Sequence, residues 1–175
     1  MAENKAIEEG FSSDGFITDQ DCFSSVRYRT IPACENGCGF IAAFNLRKAL
    51  GHAVAWDDVR AELDGMHQLR IPGPTVLNVM RRYLALCAPE ARETAGREEA
   101  MAAAGKSRAG IFRYTEGCVP HFVCYVRRED GLFRFFNVAE GLEDCVMSME
   151  RFGEEHLLHG MVVVFYVPEE QEDPC

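Results

Sequence analysis

Three residue types in chain order could together do thiol chemistry: Cys38, His121 and Asn137. A thiol attacks a carbonyl only as thiolate, so it needs a proton acceptor, and that acceptor needs a group to orient it. Cys38 stands in "PACENGCGFIAAFNLRKALG", where Asn36-Gly37 can turn the chain sharply and an apolar run follows. A helix starting there would place Cys38 in its first turn, where unpaired N–H groups and the positive dipole end favour a thiolate. Gly39 would let another backbone or a substrate come close. His121 follows Pro120 and opens "HFVCYVRR", whose apolar residues would hold the imidazole. Asn137 ends the next apolar run, "LFRFFNV".

Those residues need an alternation of elements to bring them together. From Cys38 to Leu50 the run is apolar on most of its circumference, which predicts a buried helix stopped at Gly51. "WDDVRAELDGM" repeats Val59, Leu63 and Met66 at helical spacing. "GPTVLNVMRRYLALC" predicts a third helix starting on Pro74-Thr75, with Val76, Leu77, Met80, Tyr83, Leu84 and Cys87 on one face. Residues 89–105, rich in Ala, Glu and Arg, read as a more exposed helix weakened at Gly96. After Gly105 the period changes to that of strands: "AGIFRYT", "HFVCYVRR", "LFRFFNV" and "MVVVFYV" are aromatic and β-branched. "SSVRYRTI" reads as an edge strand, and "MERFGEEHLLHG" as a short helix or turn. Helices first and strands second argue an α+β fold, N-terminal helices packed on a C-terminal antiparallel sheet.

Alternation also sets a test. Positions 121, 123 and 125 share one face of their strand, and 133, 135 and 137 share one face of the next. His121 and Asn137 lie on the same face only if the hairpin loop has an odd length, as Glu129-Asp130-Gly131 would give, or if a bulge corrects the register.

Composition narrows the function classes. At 47% hydrophobic and 26% charged residues, the chain has enough apolar material for a folded core. The formal charge of −10 is concentrated at the ends: residues 1–21 carry six acids against Lys5, and Glu169, Glu170, Glu172 and Asp173 lie in the tail. The body is nearly neutral, which argues against nucleic acid or an anionic membrane as partner. The expected organisation is a flexible acidic segment over 1–21, one domain over 22–168 and an acidic tail over 169–175. No stretch looks like a secretory signal or approaches the roughly 20 apolar residues of a membrane span. Eight cysteines are fewer than a disulfide scaffold carries, and several sit within apolar patterns. A reduced, cytoplasmic protein is expected, with its oligomeric state not readable.

The order Cys38-Gly39 at a buried helix, further helices, His121 opening a strand and Asn137 on the next resembles the papain-like cysteine peptidase superfamily. The likeness is nearest to its double-glycine leader peptidase-like and Josephin-like members and spans Pro32 to Pro168. It implies a papain-like fold and a thiol peptidase or acyl transferase acting on a peptide or isopeptide bond. Cys38 would be the nucleophile, His121 base and then acid, and Asn137 the ring's orienter, with a peptide or protein as substrate and no cofactor. Such families usually place a glutamine five or six residues before the cysteine to bind the oxyanion, and here Ala33 and Pro32 occupy those positions. Asn36 or the Cys38 backbone N–H is the candidate in its place.

Two other readings stand beside this one. The chain could keep such a fold as a catalytically inactive module that binds a peptide. It could also be a zinc-stabilised domain using Cys34, Cys38, Cys118, His121 and Cys124, whose gaps suit tetrahedral coordination. Against zinc, His121 and Cys124 are three apart and would leave a strand on opposite faces. Cys34 could pair with Cys38 in a resting disulfide. His52 and His67 show no evident partner, and His156 and His159 read as surface or loop residues. Phe133, Phe135 and Phe136 read as core, and Trp56 as a packing anchor at a helix entry.

Overall fold

The computed structural model describes residues 7–67, 75–116, 119–138, 145–157 and 160–169. A 3-10 turn at Asp21–Phe23 leads into a small hairpin, β1 (Arg27–Tyr28) and β2 (Ile31–Pro32). Then come α1 (Ala33–Asn36), α2 (Cys38–Ala49), α3 (Trp56–Met66) and α4 (Leu77–Cys87). The second half runs β3 (Arg92–Ala95), α5 (Arg97–Ala104), β4 (Ser107–Glu116), β5 (Val119–Arg127), β6 (Phe133–Phe136), β7 (Cys145–Met147), α6 (Met149–His156) and β8 (Val163–Pro168). Six of these strands form one antiparallel sheet in the order β3-β8-β4-β5-β6-β7. The α+β character and the antiparallel sheet agree with the sequence reading. Among the described residues no helix is long and apolar enough to cross a membrane.

The sheet divides two cores. On one face α2 to α4 pack with Ile111, Phe122, Cys124, Phe136 and Phe165. On the other, α5 and α6 pack with Phe112, Tyr114, Val123, Tyr125, Phe133 and Phe135. Residues alternate between these cores along β5, as the pleat requires. Helix α2 is buried continuously from Cys38 to Leu46. It ends as its sequence predicts: Gly51 takes φ +81, its N–H bonds the Lys48 carbonyl and the His52 N–H bonds that of Arg47, which is the paired ending that a glycine after a helix permits. Trp56 meets the Phe23 ring edge-on at 5.3 Å, an anchor at the entry to α3.

Several expectations are corrected. Residues 24–31 form no edge strand of the main sheet: Arg29 and Thr30, both at positive φ, turn the chain back within the β1–β2 hairpin. The segment after Pro89 is no continuous helix. Arg92–Ala95 pair with β8 as an edge strand, and only after Gly96, at φ +97, does α5 begin. The open side of β8 supplies hydrogen bonds that outweigh the helical preference of those residues. On α4 the buried set is Val79, Met80, Tyr83 and Leu84, while Val76 caps the helix and is exposed, because helical phase starts only at Leu77.

Residues 7–21 pack against the rest of the fold. Their acids face outward while Phe11, Phe16 and Ile17 face the core. Phe16 stacks on Phe136 at 4.4 Å, and Arg134, which bonds Asp14 at 2.6 Å, lies over both rings. The fully buried Asn45 of α2 brackets Ile17: Oδ1 accepts its N–H at 2.9 Å and Nδ2 donates to its carbonyl at 2.7 Å. The tail beyond Glu169 and residues 1–6 lie outside the described residues.

Asn45→Ala should therefore leave two buried backbone groups of Ile17 unmet. The expected loss is about 2–3 kcal/mol, seen as a lower urea midpoint with an unchanged slope.

Candidate active site

The segment that carries Cys38 is a helix broken at one residue. The Gly37 N–H bonds the Ala33 carbonyl and the Ile41 N–H bonds the Gly37 carbonyl, but between them α1 gives way to α2. A side chain at Gly37 would strike the Ala33 carbonyl and the Phe40 ring, so the break holds a glycine for want of space. The Cys34 carbonyl, which an unbroken helix would offer to the Cys38 N–H, instead accepts a hydrogen bond from Gln20 Nε2 at 2.6 Å. Cys38 thus opens a new helix, in the position the sequence predicts.

The first turn of α2 is covered. Cys38 is 4% exposed. A Cβ on Gly39 would overlap Thr75, whose Oγ1 shares a 2.7 Å hydrogen bond with the Tyr28 hydroxyl. That hydroxyl also lies 3.3 Å from His67 Nε2. Tyr28 is fully buried, and burial pushes its hydroxyl pKa up, with Cys38 near enough to add to the rise. His67, given no partner by the sequence, therefore has one. Burial, then the Arg29 cation, holds its imidazole below the ordinary 6.5, with Asp64 pulling the other way. Asn36 does not face outward as an oxyanion donor. It is buried and donates from Nδ2 to the Tyr28 carbonyl at 2.8 Å, fastening the β1–β2 hairpin to α1.

On the sheet, the register test is met. Arg127 pairs with Phe133 and the Arg128 N–H bonds the Leu132 carbonyl, leaving Glu129-Asp130-Gly131 as a three-residue loop with Gly131 at φ +81. This gives His121 and Asn137 the same parity. His121 Nε2 lies 2.8 Å from Asn137, but from its backbone carbonyl, not its side chain. A carbonyl only accepts, so Nε2 carries the hydrogen and the neutral ring keeps its lone pair on Nδ1. Asn137 adopts φ +64, a left-handed conformation that asparagine tolerates better than most residues. Its side chain is held by Gln20: Oδ1 accepts the Gln20 N–H at 3.1 Å and Nδ2 donates to Gln20 Oε1 at 3.1 Å.

Gln20 thereby links Asn137 to the segment that carries Cys38. Among the described residues no hydrogen bond joins Cys38 to His121. His121 is paired with Tyr114 and meets its ring edge-on at 5.7 Å, on the face of α5 and α6, whereas Cys38 belongs to the core of the opposite face. The pleat fixes this, since His121 has the parity of Val123 and Tyr125. Gln20, Tyr28, Thr75 and His67 are the polar neighbours that sequence reasoning missed. Each contact joins residues far apart in the chain and has no local pattern.

The same alternation divides the candidate zinc ligands. Cys124 is buried on the α2 face while His121 starts from the other, and Cys118 lies outside the described residues. Six described cysteines are free thiols. Burial and the Asp19 carboxylate push Cys22 up to about 11, burial pushes Cys87 to about 11, and burial with Glu35 and Asp21 raises Cys34. The chain matches no family model, no curated protein and no solved structure.

Two measurements follow from these contacts. Because folding depresses the His67 pKa, the unfolded chain binds more protons near neutrality. Its contribution is fully present above 6.5 and is lost as pH falls through the folded value. Urea titrations should show stability falling below that pH, and His67→Gln should flatten the slope. At Asn137, alanine should cost about 1–2 kcal/mol from the left-handed backbone alone. Glycine should recover that backbone share, measured by the same titration.

Proposed function

We propose that the protein is a thiol-dependent hydrolase or acyl transferase of the papain-like kind, acting on a peptide or isopeptide bond with Cys38 as nucleophile and His121 as base. The observation that carries this reading is the 2.8 Å bond from His121 Nε2 to the Asn137 carbonyl, because it fixes the tautomer that a general base needs. Asn137 then acts as orienter through its main chain. The position of Cys38 at a helix start, tied to Asn137 through Gln20 and the Cys34 carbonyl, adds support.

In this mechanism Cys38 and His121 meet only through a water or a substrate group at the sheet edge, because the pleat holds them on opposite faces. The Cys38 proton reaches His121 Nδ1 by way of that bridging group as sulfur attacks the carbonyl carbon. The resulting oxyanion is met by the Cys38 backbone N–H. Collapse of the intermediate expels the amine, which takes its proton from His121, and leaves a thioester. Water, deprotonated by His121, releases the acid; an amine in its place gives transfer.

A second reading is a binding module that has the scaffold without the chemistry. It is favoured by the burial of Cys38 and by the His121 ring's place beside Tyr114. Iodoacetamide labelling across pH, resolved by peptide mapping, decides between the two. The hydrolase reading expects Cys38 to be modified at neutral pH faster than Cys22 or Cys87, and at least tenfold more slowly in His121→Ala. A Cys38 that reacts no faster than those thiols and ignores the loss of His121 supports the binding module.

A further inference from the structure

Gln20 touches both halves of the candidate site and lies 18 residues before Cys38, far from the position where a papain-like oxyanion glutamine is expected. Its three bonds run to two places. Side-chain Nε2 reaches the Cys34 carbonyl at 2.6 Å, while Oε1 and the backbone N–H hold the two ends of the Asn137 amide, each at 3.1 Å. One of the two Nε2 hydrogens is engaged by the Cys34 carbonyl, which anchors Gln20 to the segment that carries Cys38. The amide of Asn137 cannot rotate without breaking both of its bonds.

Asn137 is also where β6 ends and the backbone turns left-handed. That turn takes its carbonyl out of the ladder and aims it at His121 Nε2. A left-handed residue with no local glycine is held there by its surroundings, and the surroundings shown to hold this side chain are the two bonds from Gln20. We propose that Gln20 is a positioning residue for His121: by clamping the Asn137 side chain it aims the Asn137 carbonyl, which in turn selects the Nε2–H tautomer and leaves Nδ1 as the basic nitrogen. This deepens the thiol-chemistry reading and rests on it for any effect on rate, but the effect on the imidazole is independent of catalysis.

The experiment is long-range proton–nitrogen NMR of the histidine rings in the full chain, with His121 assigned by its loss in His121→Gln. The wild-type ring should be in the Nε2–H form when neutral. Gln20→Ala should convert it to a mixture and slow iodoacetamide modification of Cys38 about fivefold, the equivalent of one hydrogen bond. Gln20→Glu keeps an acceptor for Asn137 Nδ2 and the backbone donor for Oδ1, so it should retain the wild-type tautomer even though its bond to the Cys34 carbonyl is lost. A purely structural brace would instead lower stability in both variants and leave the tautomer alone. An unchanged tautomer in Gln20→Ala overturns the proposal, as does a wild-type ring in the Nδ1–H form. A shifted tautomer in Gln20→Ala, together with a wild-type Cys38 no more reactive than Cys22, upholds Gln20 while removing the thiol chemistry. If Gln20→Ala does not fold, a Gln20→Glu ring that departs from the wild-type form overturns the proposal, and one that keeps it upholds it.

Discussion

A helix buried without interruption from Cys38 to Leu46 has no side it can show to water, and that single constraint organises the molecule. The sheet covers it on one flank and α3 and α4 on others, while the strap of residues 7–21 closes the remainder with Phe11, Phe16 and Ile17. The strap is therefore part of the core, not an appendage. Asn45, the buried polar residue of α2, reaches the strap backbone through both ends of its amide, so the burial is matched by satisfied hydrogen bonds.

The same enclosure shapes the chemistry. A thiol at the start of such a helix stands in a dry setting near Tyr28, with Thr75 against its neighbour Gly39, where dipoles act strongly and water competes little. The break at Gly37 separates the Cys34 carbonyl from the ladder and makes it available to Gln20. The sheet contributes His121 from an adjacent strand and Asn137 from the end of the next. At the candidate site one glutamine side chain links helix and sheet, beside the broad apolar contact of α2 with the sheet.

Much of this could be read from the residues. The unbroken apolar circumference from Cys38 announced α2, and Gly51 its stop. The parity of His121 and Asn137 rested on a loop length that the residues left open between Asp130-Gly131 and Glu129-Asp130-Gly131. What escaped was tertiary in origin. Arg92–Ala95 has a helix former's composition and is a strand because β8 offers an edge. The polar look of residues 7–21 hid three apolar residues that find partners across the fold. Sequence named Asn137 as a partner of the His121 ring, but the amide was the expected contact and the carbonyl is the observed one. Asparagine tolerates the left-handed turn at a strand end, but residue type does not say where its carbonyl will point. The faces of β5 were legible in the alternation of His121, Val123 and Tyr125, yet which face α2 would choose was not.

The hydrogen bonds from Gln20 to Asn137 and from Arg134 to Asp14 connect residues 117 and 120 positions apart. During synthesis the amino-terminal end leaves the ribosome first, yet its partners on β6 and just beyond it emerge more than a hundred residues later. The bonds of Gln20 to Asn137 and of Asp14 to Arg134 must wait until β6 and the residue after it have been made. Full docking is thus a late event: Phe11 and Ile17 can settle early on Phe23, Phe44 and Asn45, whereas Phe16 stays open to solvent or to a chaperone until β6 has been made.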